Sequence, residues 1–272
     1  MDGLETTGLD NRTILDRTGL GYGQKVMDRL GRRGELHLHG QVGDVRLGYC
    51  YIRKNACSSF KRLFMDLAEA DYDPASGERP IDFLVKHQMM RSVDAPLCDR
   101  IVFVYRDPVA RIVSLFKNKF IMRSGHEDLF RKYPALAGED PDQTTFRRFA
   151  THYLREDFTA LDRHVLPQVW HLKRFRYTDA IPIGALHDRM RSIIGQPLAD
   201  QYFSQPVNAT KSQKAYLPKA MDIPSAELSR RFTDMGTMPQ DEDFIDASLR
   251  TRLETLYSAD SDMIRAVKTR AA

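Results

Sequence analysis

The fold of this chain is decided by a stretch that reads Cys50-Tyr51-Ile52-Arg53-Lys54-Asn55-Ala56-Cys57-Ser58-Ser59-Phe60-Lys61-Arg62-Leu63. An apolar run ends at Ile52, a basic turn of small residues follows, and apolar residues then return at helical spacing. A strand, turn and helix of this kind holds phosphate because the N–H groups of the turn and the positive end of the helix dipole meet at one point. The stretch therefore predicts an anion site at residues 53–59. The ammonium group of Lys54 and the hydroxyls of Ser58 and Ser59 would complete it.

A second junction of the same kind lies further along the chain. It reads Ile101-Val102-Phe103-Val104-Tyr105-Arg106-Asp107-Pro108-Val109-Ala110-Arg111-Ile112-Val113-Ser114. Arg106 stands where the apolar run stops, and Asp107 and Pro108 are residue types that favour an N-cap and a first helical position. Ser114 follows about two turns into the helix. Two anion sites on neighbouring strands predict a ligand with two phosphate groups.

The order of these segments predicts the class of fold. A hairpin of 35–39 and 45–52 leads into the first junction, and a strand, a phosphate turn and a helix then occur twice. Repeated units of this kind form parallel strands covered by helices. Amphipathic segments at 144–158 and 247–267 make the remainder mostly helical. We therefore expect an α/β, P-loop-like fold in three layers, with a central parallel sheet, helices on both faces and a helical C-terminal part.

Length and local composition indicate how the chain is divided. Its 272 residues, of which 42% are hydrophobic, are enough for one substantial core. Residues 1–34 are polar and Gly-rich and predict an irregular lead-in, so we expect a single domain at 35–272. Within it, 197–224 is rich in Gln, Ser, Asn and Pro, which is typical of a functional loop, with a disordered linker as the alternative.

Charge and cysteine content limit the partners and the location. The formal net charge of +4 suits an anionic ligand but is too small for a dedicated nucleic-acid arm. Three cysteines give no disulfide framework, so we expect reduced thiols and a cytoplasmic protein. We see no basic leader with an apolar core at the N-terminus, and no run approaches the roughly 20 apolar residues of a membrane span. His37 and His39 would share one strand face, but no third ligand joins them, so we expect no metal.

Together, the two junctions resemble those of the carbohydrate sulfotransferases of the chondroitin and heparan type. The resemblance extends to the strand before the first junction, to the segment with His164, Pro167 and Gln168, and to the closing helix around Tyr257. It covers most of residues 35–268. Members of that family transfer a sulfonate group from 3′-phosphoadenosine 5′-phosphosulfate (PAPS) to a hydroxyl of a glycan, release adenosine 3′,5′-bisphosphate and need no metal.

The resemblance also implies which residues bind the donor. The first loop of the family grips the 5′-phosphosulfate, which here implies Lys54, Asn55, Ala56, Cys57, Ser58 and Ser59. The second junction binds the 3′-phosphate, which implies Arg106 and Ser114. Family members usually have proline just before the loop lysine, where this chain has Arg53. Because arginine adds charge and removes a rigid turn constraint, the loop here can differ in shape. A further set of candidates for nucleotide contact, taken from the 197–224 loop, is Asn208, Thr210 and Lys211.

Transfer of a sulfonate group needs stabilisation of the leaving group and a base at the acceptor hydroxyl. By analogy with phosphoryl transfer, a lysine at the bridging oxygen acts as an electrostatic catalyst, and the resemblance gives that role to Lys54. Histidine has a suitable proton affinity for the base. His87 is the first candidate, because heparan-type relatives carry their base between the two junctions. His164 is the second, as a base or an acceptor-binding residue. A carboxylate, or no base, is the alternative, and a structural role is possible for either histidine.

The sequence leaves three functions open. The leading hypothesis is a PAPS-dependent sulfotransferase that acts on a carbohydrate or glycoconjugate and is a soluble, bacterial member of its family. A nucleotide kinase-like phosphotransferase is an alternative because phosphate loops occur on many folds. Against it, the chain lacks Gly-x-x-x-x-Gly-Lys-Ser/Thr and an evident acidic strand end for magnesium. A non-catalytic module that binds a nucleotide or polyanion is the third, supported by basic and aromatic residues at 147–153 and 173–177.

Overall fold

A computed structural model of the chain describes residues 9–10, 36–124, 128–205 and 213–271. Most of the predicted lead-in, and the candidates Asn208, Thr210 and Lys211, lie outside the described residues. The chain divides into two compact units. The first unit comprises the described parts of 1–106, 167–209 and 262–272, and the second unit those of 107–166 and 210–261. A single domain at 35–272 stays a prediction.

The strands of the described residues form one larger sheet and two small ones. The larger sheet contains, in spatial order, β2 (His37–Val42), β3 (Val45–Cys50), β4 (Arg100–Tyr105) and β6 (Asp179–Pro182). Within it β2 is antiparallel to β3, whereas β3, β4 and β6 run parallel. The small sheets pair β1 (Leu9–Asp10) with β5 (Arg176–Tyr177) and β7 (Gln213–Ala215) with β8 (Thr237–Pro239).

The helices account for most of the remaining described chain. The longer ones are α1 (Cys57–Asp66), α2 (Pro80–Gln88), α3 (Pro108–Phe116), α4 (Asp128–Ala137), α5 (Leu186–Ile194), α6 (Gln196–Phe203), α7 (Ser225–Met235), α8 (Ala247–Leu256) and α9 (Ser258–Ala271). Two π-helical turns span Lys117–Ile121 and Phe149–Tyr153, and Phe146–Arg148 forms a single α-helical turn. Short 3₁₀ turns are at Pro74–Ser76, Ala95–Leu97, Phe158–Ala160, Gln168–His171, Ile183–Ala185, Ala220–Asp222 and Glu242–Phe244. None of the helices described here has the length and apolar character needed to cross a bilayer.

The predicted order of strands and helices is confirmed at both junctions, and the fold is mixed α/β with a mostly parallel central sheet. Cys50 pairs with Phe103 in parallel register, so β3 and β4 end at the same edge of the sheet. At the second junction the Oδ1 atom of Asp107 accepts the N–H of Ala110 at 2.8 Å, which is the predicted N-cap. The predicted C-terminal helix is wrong in one respect, because Tyr257 separates it into two helices.

Aromatic packing holds α1 against the sheet in the first unit. Tyr49 of β3 stacks on Phe60 of α1 with ring centroids 3.7 Å apart, and both rings are fully buried. Phe64, one turn later, is buried on the same face of the helix. Burial of a side chain of this size contributes roughly 1.5–3 kcal/mol. These contacts fix the start of α1 next to the end of β3.

The second unit is organised around a buried arginine and a cluster of aromatic rings. Arg111 of α3 is 0% exposed, and its guanidinium donates to the carbonyl oxygens of His164 at 3.2 Å and Leu166 at 2.7 Å. The same group lies over the ring of Tyr257, 5.6 Å from its centroid. Tyr257, which lies between α8 and α9, donates its hydroxyl to the buried carbonyl of Val165 at 2.7 Å. The aromatic cluster contains Phe116, Phe120, Tyr133, Phe146 and Phe149.

Candidate functional site

The loop that follows β3 has the backbone shape of an anion-binding turn. Lys54 (φ 68°) and Ala56 (φ 57°) are both left-handed, and Asn55 between them is not. A residue pattern that alternates in this way turns successive N–H groups toward one concave side, where an anion fits. For residues other than glycine the left-handed conformation costs roughly 1–2 kcal/mol each. The surrounding structure must therefore hold the loop in this shape, as is common at functional sites.

The start of α1 adds to this anion-binding character. Ala56 is the N-cap and supplies no side-chain hydrogen bond, and the first turn contains no acidic residue. The sequence has no acidic residue between Asp44 and Asp66, whereas it has several arginines and lysines there. Ser58 is partly exposed at the start of the helix, and Ser59 is 3% exposed. The positive end of the helix dipole therefore faces a loop whose own stretch of sequence, 45–65, carries no carboxylate.

A buried amide network ties this loop to the end of the next strand. The Nδ2 group of Asn55 donates to the carbonyl oxygen of Val104 at 2.8 Å and to Oε1 of Gln168 at 2.6 Å. The same Oε1 accepts the main-chain N–H of Arg106 at 3.0 Å, and Nε2 of Gln168 donates to the carbonyl of Arg106 at 2.9 Å. Asn55 and Gln168 are both 0% exposed. The loop and Arg106 are therefore joined through Gln168.

The arginine that replaces the family's proline has a defined place. The guanidinium of Arg53 lies over the ring of Tyr51, 5.5 Å from its centroid. Burial raises the pKa of the Tyr51 hydroxyl well above its usual value, and Arg53 acts in the opposite direction. Tyr51 thus stays protonated at neutral pH, and the Arg53 cation over its ring stabilises the start of the loop. The positive φ of Lys54 shows that the turn forms without proline.

The two candidate bases lie in different units. His87 is exposed on the last turn of α2, where its ring packs against Phe83 with centroids 4.6 Å apart. Just beyond α2 the N–H of Met90 donates to the carbonyl of His37, at 2.8 Å, and His37 pairs with Cys50, the last residue of β3. The chain that leaves α2 therefore reaches the edge of the sheet where the loop begins. The role of His87 as the base stays a prediction.

His164 and Ser114 belong to the second unit. The Nδ1 atom of His164 lies 2.5 Å from Oδ1 of Asp162, and its carbonyl accepts a hydrogen bond from Arg111. Ser114 is partly buried on α3. Arg106, in contrast, is in the first unit. The roles given to His164 and Ser114 stay predictions from the sequence.

The two histidines of β2 have protein partners. His37 is 0% exposed, and its Nε2 atom lies 2.7 Å from the Tyr177 hydroxyl. The Nε2 atom of His39 lies 3.9 Å from Oδ2 of Asp94. In the part of the chain that the structure describes, no group of three or more His, Cys, Asp or Glu residues is arranged to hold a metal ion.

Comparison with known proteins gives this arrangement a context. The sequence profile described as "Sulfotransferase family" matches residues 42–263, which is most of the chain and includes both junctions. This chain belongs to the sulfotransferase family. It is 32% identical to carbohydrate sulfotransferase 14 of Mus musculus over 157 residues and 31% identical to that of Homo sapiens. The protein of the same name from Danio rerio is 26% identical over 151 residues. No solved structure gives a significant match.

The curated relatives are longer proteins than this sulfotransferase. The segment shared with the mouse and human proteins is 53% of this chain and 41% of theirs. The chain therefore matches less than half the length of those relatives. What their names say they act on is a property of those proteins.

One residue of the site, Gln168, was not assigned a function from the sequence. The resemblance to the family covers the segment that contains it but implies no role for its side chain. The signal was a polar side chain in the apolar run Val165-Leu166-Pro167-Gln168-Val169. A buried amide must find hydrogen-bond partners, but the sequence does not say which ones. The structure shows that they are Asn55 and Arg106 of the two junctions.

Proposed function

We propose that this sulfotransferase transfers the sulfonate group of PAPS to a hydroxyl of a carbohydrate or glycoconjugate. The observation that carries the proposal is the amide network in which Gln168 joins the loop after β3 to Arg106 after β4. It holds two basic strand ends side by side, as a nucleotide with phosphates at its 5′ and 3′ positions requires. The family membership and the names of the relatives support the same chemistry.

The residues of the loop fit the 5′ end of the donor. Three features together favour a phosphosulfate group: left-handed Lys54 and Ala56, the start of α1, and a stretch of sequence, 45–65, without acidic residues. When bound, PAPS supplies the sulfonate and the leaving phosphate. We assign the Lys54 ammonium to the bridging oxygen, where it stabilises the charge that develops on the leaving group. The N–H groups of residues 56–58 orient the phosphate, since those of Asn55 and Ser59 donate to the carbonyls of Ile52 and Ala56. Arg106 binds the 3′-phosphate. Ser114 is assigned to the same phosphate from the sequence alone.

We assign the general base to His87, with His164 as the second candidate. The base takes the proton from the acceptor hydroxyl while the oxygen attacks sulfur, and the exposure of His87 suits a group that meets a large acceptor. We further propose that the sheet and helices are the P-loop-like, three-layer arrangement expected from the sequence. The strand, phosphate turn and helix at the carboxyl edge of the sheet support this.

A ligand-binding experiment separates the proposed donor from the alternatives. Adenosine 3′,5′-bisphosphate at 100 times its Kd should raise the free energy of unfolding by about 2.7 kcal/mol. At the same concentration, ATP with magnesium should raise the free energy of unfolding much less. Equal shifts, or none, would contradict the proposal, and a larger shift with ATP and magnesium would favour a phosphotransferase.

Transfer of radiolabelled sulfonate from PAPS to a panel of glycans, glycolipids and small alcohols tests the reaction. We expect Lys54→Ala to abolish transfer and Lys132→Ala, which changes an exposed lysine of α4, to leave it intact. Binding of the bisphosphate without transfer to any acceptor would instead favour a non-catalytic nucleotide-binding module.

A further inference from the structure

The side-chain amide of Gln168 binds both halves of the site, which are the loop after β3 and Arg106. Its Oε1 atom accepts from the side chain of Asn55 and from the main chain of Arg106, at 2.6 Å and 3.0 Å. Its Nε2 group donates to the carbonyl of Arg106 at 2.9 Å. Each bond has a fixed direction, because Oε1 only accepts and Nε2 only donates. The amide can therefore satisfy these partners in one position only, which fixes the separation of the loop from Arg106.

We propose that Gln168 is a positioning residue that makes the site selective for a nucleotide with phosphates at both its 5′ and 3′ positions. The inference rests on the proposed function, since it takes the loop and Arg106 as the two anion sites. Gln168 is fully buried and hydrogen-bonds to the main chain of Arg106, so it acts by positioning Arg106 and not by contact with the nucleotide.

The physical reason is the effective concentration of the second phosphate. Once the 5′-phosphate is bound in the loop, the 3′-phosphate binds as an intramolecular event, and its gain in affinity is greatest when the second site already lies at the correct distance. A rigid tie between the sites avoids the ordering cost at binding. Without the tie, each site can still bind one phosphate, but a nucleotide with both phosphates gains less affinity from the second one.

The test compares three nucleotides on the full chain by isothermal titration calorimetry. They are adenosine 5′-monophosphate, adenosine 3′-monophosphate and adenosine 3′,5′-bisphosphate. The measured quantity is the ratio of the Kd of the 5′-monophosphate to the Kd of the bisphosphate. For Gln168→Met we expect this ratio to fall about tenfold, which is within the usual coupling between residues of one network. The affinity for each monophosphate should change by less than about threefold.

Gln88→Met is the matched control. Gln88 is also a buried glutamine of the first unit, 8% exposed, and its Nε2 group donates to the carbonyl of Phe64 in the last turn of α1 at 2.9 Å, rather than to the loop or Arg106. Both variants lose a buried amide, so both should lower the melting temperature. Only Gln168→Met should change the nucleotide ratio. A general loss of stability would not change it.

Gln168→Asn serves if the methionine variant does not fold. It keeps an uncharged amide but retracts it by one methylene, so it cannot reach all its partners at once, and the ratio should fall in the same direction. An unchanged ratio in a folded variant, or an equal loss of affinity for all three nucleotides, would overturn the inference. If the wild-type protein gains no affinity from the 3′-phosphate, the proposed donor itself is wrong.

Discussion

The substitution Asn55→Asp tests the amide network with almost no change in side-chain size. In the wild-type protein Nδ2 of Asn55 donates to the carbonyl of Val104 at 2.8 Å and to Gln168 at 2.6 Å, and the side chain is 0% exposed. The Oδ1 atom has no hydrogen-bond partner among the described residues. The substitution therefore replaces a group that donates two hydrogen bonds with a carboxyl group of nearly the same size.

The expected cost follows from protonation. An ionised, buried carboxylate would face two acceptors, so the carboxyl should instead take up a proton in the folded state. At pH 7 this uptake costs up to about 4 kcal/mol. The figure is the difference between pH 7 and the unfolded pKa of about 3.9, multiplied by about 1.36 kcal/mol per pH unit. The protonated carboxyl keeps one donor, so one hydrogen bond is also lost, at about 1–3 kcal/mol. We expect a total loss of roughly 4–7 kcal/mol at pH 7.

The sign of the pH dependence is the sharpest part of this prediction. Because the variant carboxyl has a raised pKa in the folded state, the folded protein binds more protons than the unfolded chain above pH 4. The difference in unfolding free energy between variant and wild type should therefore shrink as the pH falls, to roughly 1–3 kcal/mol near pH 4. Urea denaturation at several pH values measures it.

Asn118→Asp is the control for this experiment. Asn118 donates to the hydroxyl of Ser124, which can reverse and donate to a carboxylate, whereas the carbonyl of Val104 cannot. We expect a loss below about 1 kcal/mol for this control. If Asn55→Asp cost as little as Asn118→Asp, and the loss did not depend on pH, the reasoning about the network would be refuted. The Asn55→Asp variant should also fail to bind adenosine 3′,5′-bisphosphate above pH 7.

Three further predictions concern other parts of the chain. His87→Ala should lower kcat by about 10²-fold or more while the Kd of adenosine 3′,5′-bisphosphate stays within about twofold, and unchanged turnover relative to His152→Ala would move the base elsewhere. Arg111→Met removes the donors of two main-chain carbonyls and should cost roughly 3–5 kcal/mol in urea denaturation; a loss equal to that of the exposed Arg250→Met would contradict the assigned contacts. Burial lowers the pKa of His39, so the unfolded chain binds the proton more readily; the stability that the neutral ring allows is complete above about pH 6.5 and is lost as the pH falls below it. His39→Gln should reduce that fall, and an unaltered pH profile would show that other groups cause it.

The sequence predicted the local units of this fold with good accuracy. The hairpin, the parallel pair β3 and β4, and the helices that follow each junction all occur where apolar spacing placed them. Helix interruptions were missed because they depend on distant partners. The π-helical turn at Phe149–Tyr153 packs its first ring against Phe116 and Phe120, and the break at Tyr257 accompanies a contact with Arg111.

The site shows the same division between local and distant causes. That residues 53–59 form a basic turn between a strand and a helix was determined by the sequence, because small residues, cations and a helix start are adjacent in the chain. The left-handed Lys54 and Ala56 could not be predicted, since local preference favours glycine there and only the packed surroundings hold other residues in that shape. Gln168 meets Asn55 across 113 positions and Arg106 across 62. A buried amide needs partners, but only the tertiary structure decides which ones come within 3 Å, because nothing in the neighbouring residues encodes so distant a contact.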